Sequence, residues 1–231
     1  MTGVGVSAIV VAAGAGVRLR SSTPKALVRI GGKPLVLLAL ESLAAGGVTK
    51  AVVAVPRSDI DDFDNALRAA PLPIRIVPGG ATRQESVRLA LDSLVTWDVT
   101  GSDDDVVLVH DAARPLAPPE VALRVTEAIA DGASAAIPVI PVVDTIRALT
   151  PAGSVVVDRN TLRAVQTPQG FRKGVLRAAH QLALADEVSG TDDAMLAERA
   201  GFNVKLVEGS PAATKITTPH DLAVVRALVE G

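Results

Sequence analysis

Along the first half of the chain, short β-branched runs alternate with alanine- and leucine-rich stretches of helical spacing. "VSAIVVAA" at 6–13 precedes a helical pattern over 34–46, "KAVVAVP" at 50–56 precedes one over 59–70, and "IRIVPGG" at 74–80 precedes one over 83–95, before "DVVLVHD" at 105–111. Runs that stay apolar at nearly every position are strands buried on both faces. Their alternation with helical patterns predicts βαβ units, hence an α/β fold with a mostly parallel sheet and helices on both faces. The helix ends agree: Pro34 sits in a first turn and Gly46-Gly47 follow a last one. "DVTGSDDD" at 98–105 reads as a solvated loop.

The rhythm changes near residue 140. In "IPVIPVVDTIRALTPAGSVVVDRNTLRAVQTPQGF", two apolar runs at 142–149 and 154–157 flank "TPAG", a hairpin signal. Pro138 and Pro141 suit a sheet edge or an exit better than a central strand. The pattern therefore predicts a β-arm over about 141–163 that leaves the main body. An arm with an apolar face and no core of its own needs a partner, so a homodimer through the arm is expected. Helical spacing returns over 173–186 and 192–200, a strand follows at "NVKLVEG", and a last helix starts at 218.

Composition narrows the class. A chain of 231 residues is long enough for a full core, and one domain over 1–231 is expected. Net charge is −2, with a sequence pI near 5.9, and the basic residues are scattered, which argues against a nucleic-acid partner. No cysteine is present, excluding a thiolate nucleophile and any sulfur-ligated metal site. The N-terminal apolar run has no basic segment before it and falls short of the roughly 20 residues of a membrane span, so a cytoplasmic protein is expected. The positive mean hydropathy, +0.37, reads as an alanine- and valine-rich core. No fused second enzyme is expected beyond the last helix.

Three loops carry candidate chemistry, each following a predicted strand. "VVAAGAGVRLRSSTPKAL" at 10–27 places glycines, Arg18 and Lys25 in one loop without an acid. A dinucleotide fingerprint fails there, because Leu19 holds the third glycine position and no acid ends the second strand to hold a ribose. A Walker motif fails too, for want of GK[ST]. A loop whose backbone N–H groups, Arg18 and Lys25 wrap a triphosphate remains, beside the plainer reading of a surface loop with solvated cations. The chain has only six lysines, so one beside the glycines favours function.

"VLVHDAARP" at 107–115 puts Asp111 at the carboxyl end of a buried strand, the rim where open α/β sheets bind ligands. One carboxylate there suits Mg²⁺, which keeps waters and takes phosphate oxygens as further ligands. His110 reads as a hydrogen-bonded structural residue and Arg114 as a brace for the loop. "PGGATRQESV" at 78–87 gives a second glycine turn at the same rim, where a flat base can approach the backbone. Thr82 alone reads as a helix cap.

Taken in order, "AAGAGVRL" with "PKAL", "GGATRQESV", "VHDAARP", "DT" at 144, "VDR" at 157, "QTPQGF" at 166, "TDDA" at 191 and "KITTPHDL" at 215 resemble the 2-C-methyl-D-erythritol 4-phosphate cytidylyltransferase family, within the Rossmann-like nucleotidyltransferases. The resemblance spans nearly the whole chain. It implies transfer of a cytidylyl group from CTP to 2-C-methyl-D-erythritol 4-phosphate with release of pyrophosphate, Mg²⁺ as cofactor, and a homodimer. By position, it implies that Ala12, Ala13, Gly14 and Gly16 line the nucleotide, with Arg18 and Lys25 on its phosphates. Gly80, Arg83 and Ser86 would surround cytosine and ribose, and Asp111 would serve metal and ribose. Thr145, Arg159, Thr167, Thr191 and Lys215 would hold the sugar phosphate, Arg159 and Thr167 acting on the neighbouring subunit's site. Ala81 departs from the family, which often has an acid there, leaving base discrimination to the Gly80 backbone.

The chemistry suits the residues. A phosphate monoester has its second pKa near about 6, so it is mostly a dianion at neutral pH and needs no general base. The chain accordingly offers no tyrosine, no cysteine and no paired-carboxylate constellation. A ribitol 5-phosphate cytidylyltransferase would share the nucleotide loops and differ around the acceptor. A non-catalytic nucleotide sensor would keep the glycines without needing Lys25, Lys215 and Asp111 together.

Overall fold

The computed structural model describes residues 5–14 and 23–230. In chain order the first half runs β1 (Val6–Val11), β2 (Arg29–Ile30), β3 (Lys33–Pro34), α1 (Leu35–Ala45), β4 (Lys50–Val55), α2 (Ile60–Ala66), β5 (Ile74–Pro78), α3 (Arg83–Trp97), β6 (Val106–Asp111) and α4 (Pro119–Ala130). The second half runs β7 (Ala135–Pro141), β8 (Ile146–Thr150), β9 (Gly153–Val157), β10 (Arg163–Val165), β11 (Gln169–Arg172), α5 (Lys173–Ala185), α6 (Asp193–Arg199), β12 (Val204–Glu208) and α7 (Pro219–Glu230). The main sheet has the order β10-β7-β11-β6-β1-β4-β5, with β12 also paired to β7. β5, β4, β1 and β6 are mutually parallel, and β10 and β11 run antiparallel to their neighbours.

Alternation along the buried strands splits the core in two, as period-2 geometry requires. Ala8, Val10, Val53 and Leu108 face α1, α2 and α4, contributing to one cluster with Leu40, Phe63 and Val125. Ile9, Val52, Val107 and Val109 face the other side, where Leu91 of α3, Leu176 of α5 and Leu196 of α6 cover them. The helices thus lie on both faces, as the pattern predicts.

Boundaries follow local chemistry. Pro34 is the N-cap of α1, and Gly46 ends it before Gly47 at φ +89°, a left-handed position that suits glycine. α2 stops at Ala66, short of the expected 70; the chain leaves it through a turn closed by Ala70 N–H to Leu67 O, and Pro71 keeps Ala70 itself out of a helix. Thr82 caps α3 by accepting the Glu85 N–H at 3.1 Å.

The expected hairpin forms: β8 and β9 pair only with each other, apart from the main sheet. Leu149, Val155 and Val156 on it are exposed, Leu149 at 88%. Pro138 departs from expectation, lying inside β7 with Val207 of β12 as its register partner. Its carbonyl accepts the Gln166 N–H at 2.8 Å. N–H and C=O of a strand residue face the same side, so the donor that proline lacks falls beside 166–168, between β10 and β11, where no ladder requires it. Pro141 does end its strand.

Candidate active site

Because β1, β4, β5 and β6 are parallel, their carboxyl ends share one rim, and the loops that leave them converge. A cavity of about 420 Å³ opens there. Val11 to Gly14 line it after β1, Gly80 to Arg83 after β5, and Asp111 to Ala113 after β6, with Lys25, Ser86 and Lys215 completing the wall. Of the residues nominated from the sequence, Ala12, Ala13, Gly14, Lys25, Gly80, Arg83, Ser86, Asp111 and Lys215 are brought together. Gly16 and Arg18 lie outside the described residues.

Among the described residues of that lining, Asp111 is the one carboxylate, against three cations. Arg83 Nε donates to its Oδ1 at 3.1 Å and Lys215 Nζ to its Oδ2 at 2.6 Å. Burial pushes the carboxyl pKa up, but Arg83 and Lys215 together outweigh that and hold it well below the usual range. The group is therefore an anion at any working pH. Burial disfavours the Arg83 charge, yet Asp193 and Asp111 more than restore it, and its pKa is raised. Lys25 Nζ donates to Ile216 O at 3.0 Å, which ties the first loop to the segment bearing Lys215.

The second glycine turn is held closed by the helix it introduces. Ser86 Oγ donates to Thr82 O at 2.8 Å and accepts from Gly80 N at 3.1 Å, while Glu85 Oε2 accepts from Ala81 N at 2.7 Å. A Cβ on Gly79 would lie 2.5 Å from the Ala13 Cβ, so glycine is needed for the β1 and β5 loops to meet. Ser86, nominated for the base, thus spends its hydroxyl on the turn.

His110 behaves as a structural residue. Its Nε2 lies 3.2 Å from Arg114 O and its Nδ1 3.1 Å from Thr167 Oγ1. Burial, partly offset by Asp111, pushes its pKa down to about 4, so the ring is neutral. Arg114 braces the loop by donating to Ala213 O and Val165 O.

The acceptor residues are dispersed. Thr167 is buried beside Asp111 of its own chain, whose N–H it accepts at 3.1 Å. The reason is local: 166–168 passes directly over the end of β6 between β10 and β11. Thr145 and Arg159 are exposed at the base of the arm, and Arg159 donates to Val143 O. Thr191 is exposed ahead of α6. None of these four lines the cavity.

Sequence reasoning missed Asp193 and His180. Asp193 Oδ2 accepts from Arg83 Nη1 at 2.6 Å, and its Oδ1 lies 2.9 Å from His180 Nε2. The signal is the "TDDA" segment, whose second acid is Asp193.

Comparison with known proteins agrees with this arrangement. The 2-C-methyl-D-erythritol 4-phosphate cytidylyltransferase family model matches residues 6–231. A protein of that name from Saccharopolyspora erythraea is 46% identical over 227 residues, covering 97% of this chain and 99% of its own. One from Rhodococcus jostii is 45% identical, covering 97% and 95%. The crystal structure of the Thermus thermophilus protein of that name superposes with a TM-score of 0.79 at 37% identity, covering 98% of this chain and all of its own. A 4-diphosphocytidyl-2C-methyl-D-erythritol synthase from Anaerococcus prevotii reaches 0.84 at 28% identity, covering 98% and 99%.

Proposed function

Because the chain belongs to the 2-C-methyl-D-erythritol 4-phosphate cytidylyltransferase family, we propose that its rim cavity transfers the cytidylyl group of CTP to 2-C-methyl-D-erythritol 4-phosphate. Pyrophosphate leaves, and the product is 4-diphosphocytidyl-2-C-methyl-D-erythritol, an intermediate of non-mevalonate isoprenoid precursor synthesis. The observation that carries this reading is the charge of the lining: among the described residues, Lys25, Arg83 and Lys215 stand against Asp111 alone, at the carboxyl rim of a parallel sheet. Such a surplus fits a polyanion.

The difficulty of the reaction is charge, since one anion must approach the α-phosphorus of another. Positioning and electrostatic stabilisation supply nearly all the catalysis, and the acceptor phosphate needs no base. Lys25, with Arg18, stabilises negative charge that grows on the α-phosphate. Lys215, clamped to Asp111, bridges nucleotide and acceptor. Ala12, Ala13, Gly14 and Gly16 line the nucleotide, with Arg83 and Ser86 beside base and ribose. The Gly80 N–H is spent on Ser86, which leaves its carbonyl to select the amine of cytosine over the carbonyl of uracil.

The donor set fits Mg²⁺ held mainly by phosphate. Among the described residues no group of three His, Asp or Glu side chains is placed to cage a metal. Asp111 stays ionised and, with about four lone-pair sites, retains acceptor capacity beyond its two cations. Asp111, triphosphate oxygens and water would hold the ion, which supplies charge neutralisation at the leaving group.

Thr145, Arg159, Thr167, Thr191 and Lys215 are proposed for the acceptor, with the arm joining two copies so that Arg159 serves the neighbouring cavity. The exposed apolar residues of the arm support this homodimer. A single domain fits the shared sheet, a cytoplasmic location is part of the same proposal, and no helix among the described residues is long and apolar enough to cross a membrane.

The decisive experiment is pyrophosphate release with CTP and Mg²⁺, comparing 2-C-methyl-D-erythritol 4-phosphate with ribitol 5-phosphate. Preference for the first is the expected result. Preference for ribitol 5-phosphate keeps the triphosphate site and overturns the acceptor, and no release with either overturns the enzyme reading in favour of a nucleotide sensor.

A further inference from the structure

Behind the cavity wall, Arg83 is held by a second carboxylate that does not line the cavity. Its guanidinium bridges two carboxylates: Nε faces Asp111 in the cavity, and Nη1 faces Asp193, which is 1% exposed. Asp193 is backed in turn by His180 of α5, itself 2% exposed, through the 2.9 Å contact to Nε2. The pKa of Asp193 is lowered despite burial, by the His180 hydrogen bond and the Arg83 charge. An ionised carboxylate only accepts, so Nε2 carries the proton and His180 donates. A continuous chain Lys215, Asp111, Arg83, Asp193, His180 therefore runs from the cavity into the interior.

Two observations separate this chain from ordinary helix capping or packing. First, the α6 cap is Asp192, which accepts the Met195 N–H at 2.9 Å and the Gln169 side-chain amide at 2.8 Å, so Asp193 is not needed for that task. Second, His180 Nδ1 is buried without a hydrogen-bond partner among the described residues. A buried orphan nitrogen is costly, and an apolar ring would pack there without that cost. Among the described residues, the one hydrogen-bond partner of the ring is Asp193.

We infer that Asp193, fixed by His180, is a positioning residue that sets the Arg83 guanidinium and through it the Asp111 carboxylate. An arginine fork has several ways to approach a carboxylate, and a second anion at a fixed distance selects one. With Nη1 committed to Asp193, Nε is left to face Asp111, and Lys215 completes the clamp. The inference rests on reading the cavity as the nucleotide site only for its kinetic consequence; the strut itself is a property of the free chain.

The test uses the full-length protein and three variants, Asp193→Asn, His180→Leu and His180→Gln, the last able to donate again from its amide. The first readout needs no substrate: the Nε–H resonance of Arg83, assigned by its loss in Arg83→Lys, is expected to be sharp and protected in the parent chain and in His180→Gln. In Asp193→Asn and His180→Leu it is expected to broaden by exchange. The second readout is kinetic. In His180→Leu the KM for the nucleotide is expected to rise about 10-fold while the KM for the acceptor phosphate stays within about twofold, with recovery in His180→Gln. A resonance unchanged in both disruptive variants, or one already unprotected in the parent chain, overturns the strut. So does a uniform loss of melting temperature with unchanged KM values. Should the parent chain transfer no cytidylyl group, the proposed function falls while the resonance still decides this inference; should Asp193→Asn fail to fold, the His180 pair decides it.

Discussion

Lys215 Nζ and Asp111 Oδ2 lie 2.6 Å apart although 104 residues separate them in the chain. The contact joins the segment ahead of α7 to the end of β6, and it places a cation at the cavity beside an ionised carboxylate. Lys215→Met keeps the aliphatic stem and leaves Arg83 on Asp111. The Lys215 side chain is 39% exposed, so the pair should contribute no more than about 1 kcal/mol to stability. Its loss should nonetheless lower kcat by about 10²-fold, as for removal of one donor from a transition-state clamp. Steady-state kinetics beside a thermal melt checks both halves; turnover near that of the parent chain would remove Lys215 from the mechanism.

Lys25 tests the first loop. Its hydrogen bond to Ile216 O holds it at the cavity wall, within the short helical turn Lys25–Leu27. Lys25→Ala should lower kcat by at least about 10²-fold with folding intact. Retained nucleotide binding with lost turnover is the expected split, read by calorimetry with CTP and by pyrophosphate release. A variant that turns over normally contradicts the triphosphate assignment of the loop.

The sequence made the rim legible because the rim is built from local rules. Buried strands read as apolar runs, parallel strands end on one side, and glycine turns after β1 and β5 mark where a backbone must approach closely. Lys25, Asp111 and the Gly80 turn were legible for those reasons, whereas Lys215, which meets them there, was nominated only through the family resemblance. What it hid was contact between distant segments. Nothing in "TDDA" distinguishes Asp192, which caps a helix, from Asp193, which reaches Arg83 over a separation of 110 residues. Pro138 misled for a related reason: a proline is excluded only where its N–H would be used, and the gap between β10 and β11 that spares it is a property of the assembled sheet. Thr167 lies past the expected arm, and only the assembled sheet shows that its hydroxyl meets the Asp111 N–H at the end of β6.

Asp221 links acid stability to the same segment. Its Oδ2 accepts from Thr217 N, Thr217 Oγ1 and Thr218 N, each at 2.7 Å, which fixes the start of α7 just beyond Lys215 and Ile216. These bonds, that from the Thr217 hydroxyl foremost, bring its pKa down from 3.8 to about 2. A carboxylate whose pKa is lower folded than unfolded adds stability above the unfolded value and loses it as pH falls toward the folded one. Asp221→Asn should therefore be less stable than the parent chain at neutral pH, with the gap shrinking between pH 3.8 and 2. Denaturant titrations at several pH values follow the gap; one that is constant through that window contradicts the role given to the charge.

The arm carries the prediction about assembly. β8 and β9 pair only with each other, and Leu149 and Val156 fall on one face of the hairpin, both exposed. A two-stranded ribbon is marginal alone, so apolar side chains displayed on it are stabilised only if another surface covers them. If that surface is a second copy, Leu149→Glu with Val156→Glu should convert a species of twice the 23.6 kDa chain mass into one of single mass in sedimentation velocity. In a monomer the same changes touch nothing buried, and the melting temperature would not move. The functional consequence separates the two substrates. The nucleotide loops lie within one chain, so CTP binding should persist in the variant, whereas the acceptor, proposed to meet Arg159 from the neighbouring copy, should show a raised KM. A parent chain that sediments at single mass at micromolar concentration, with full activity, would return Arg159 to its own chain's arm and leave the acceptor to Lys215 and its neighbours.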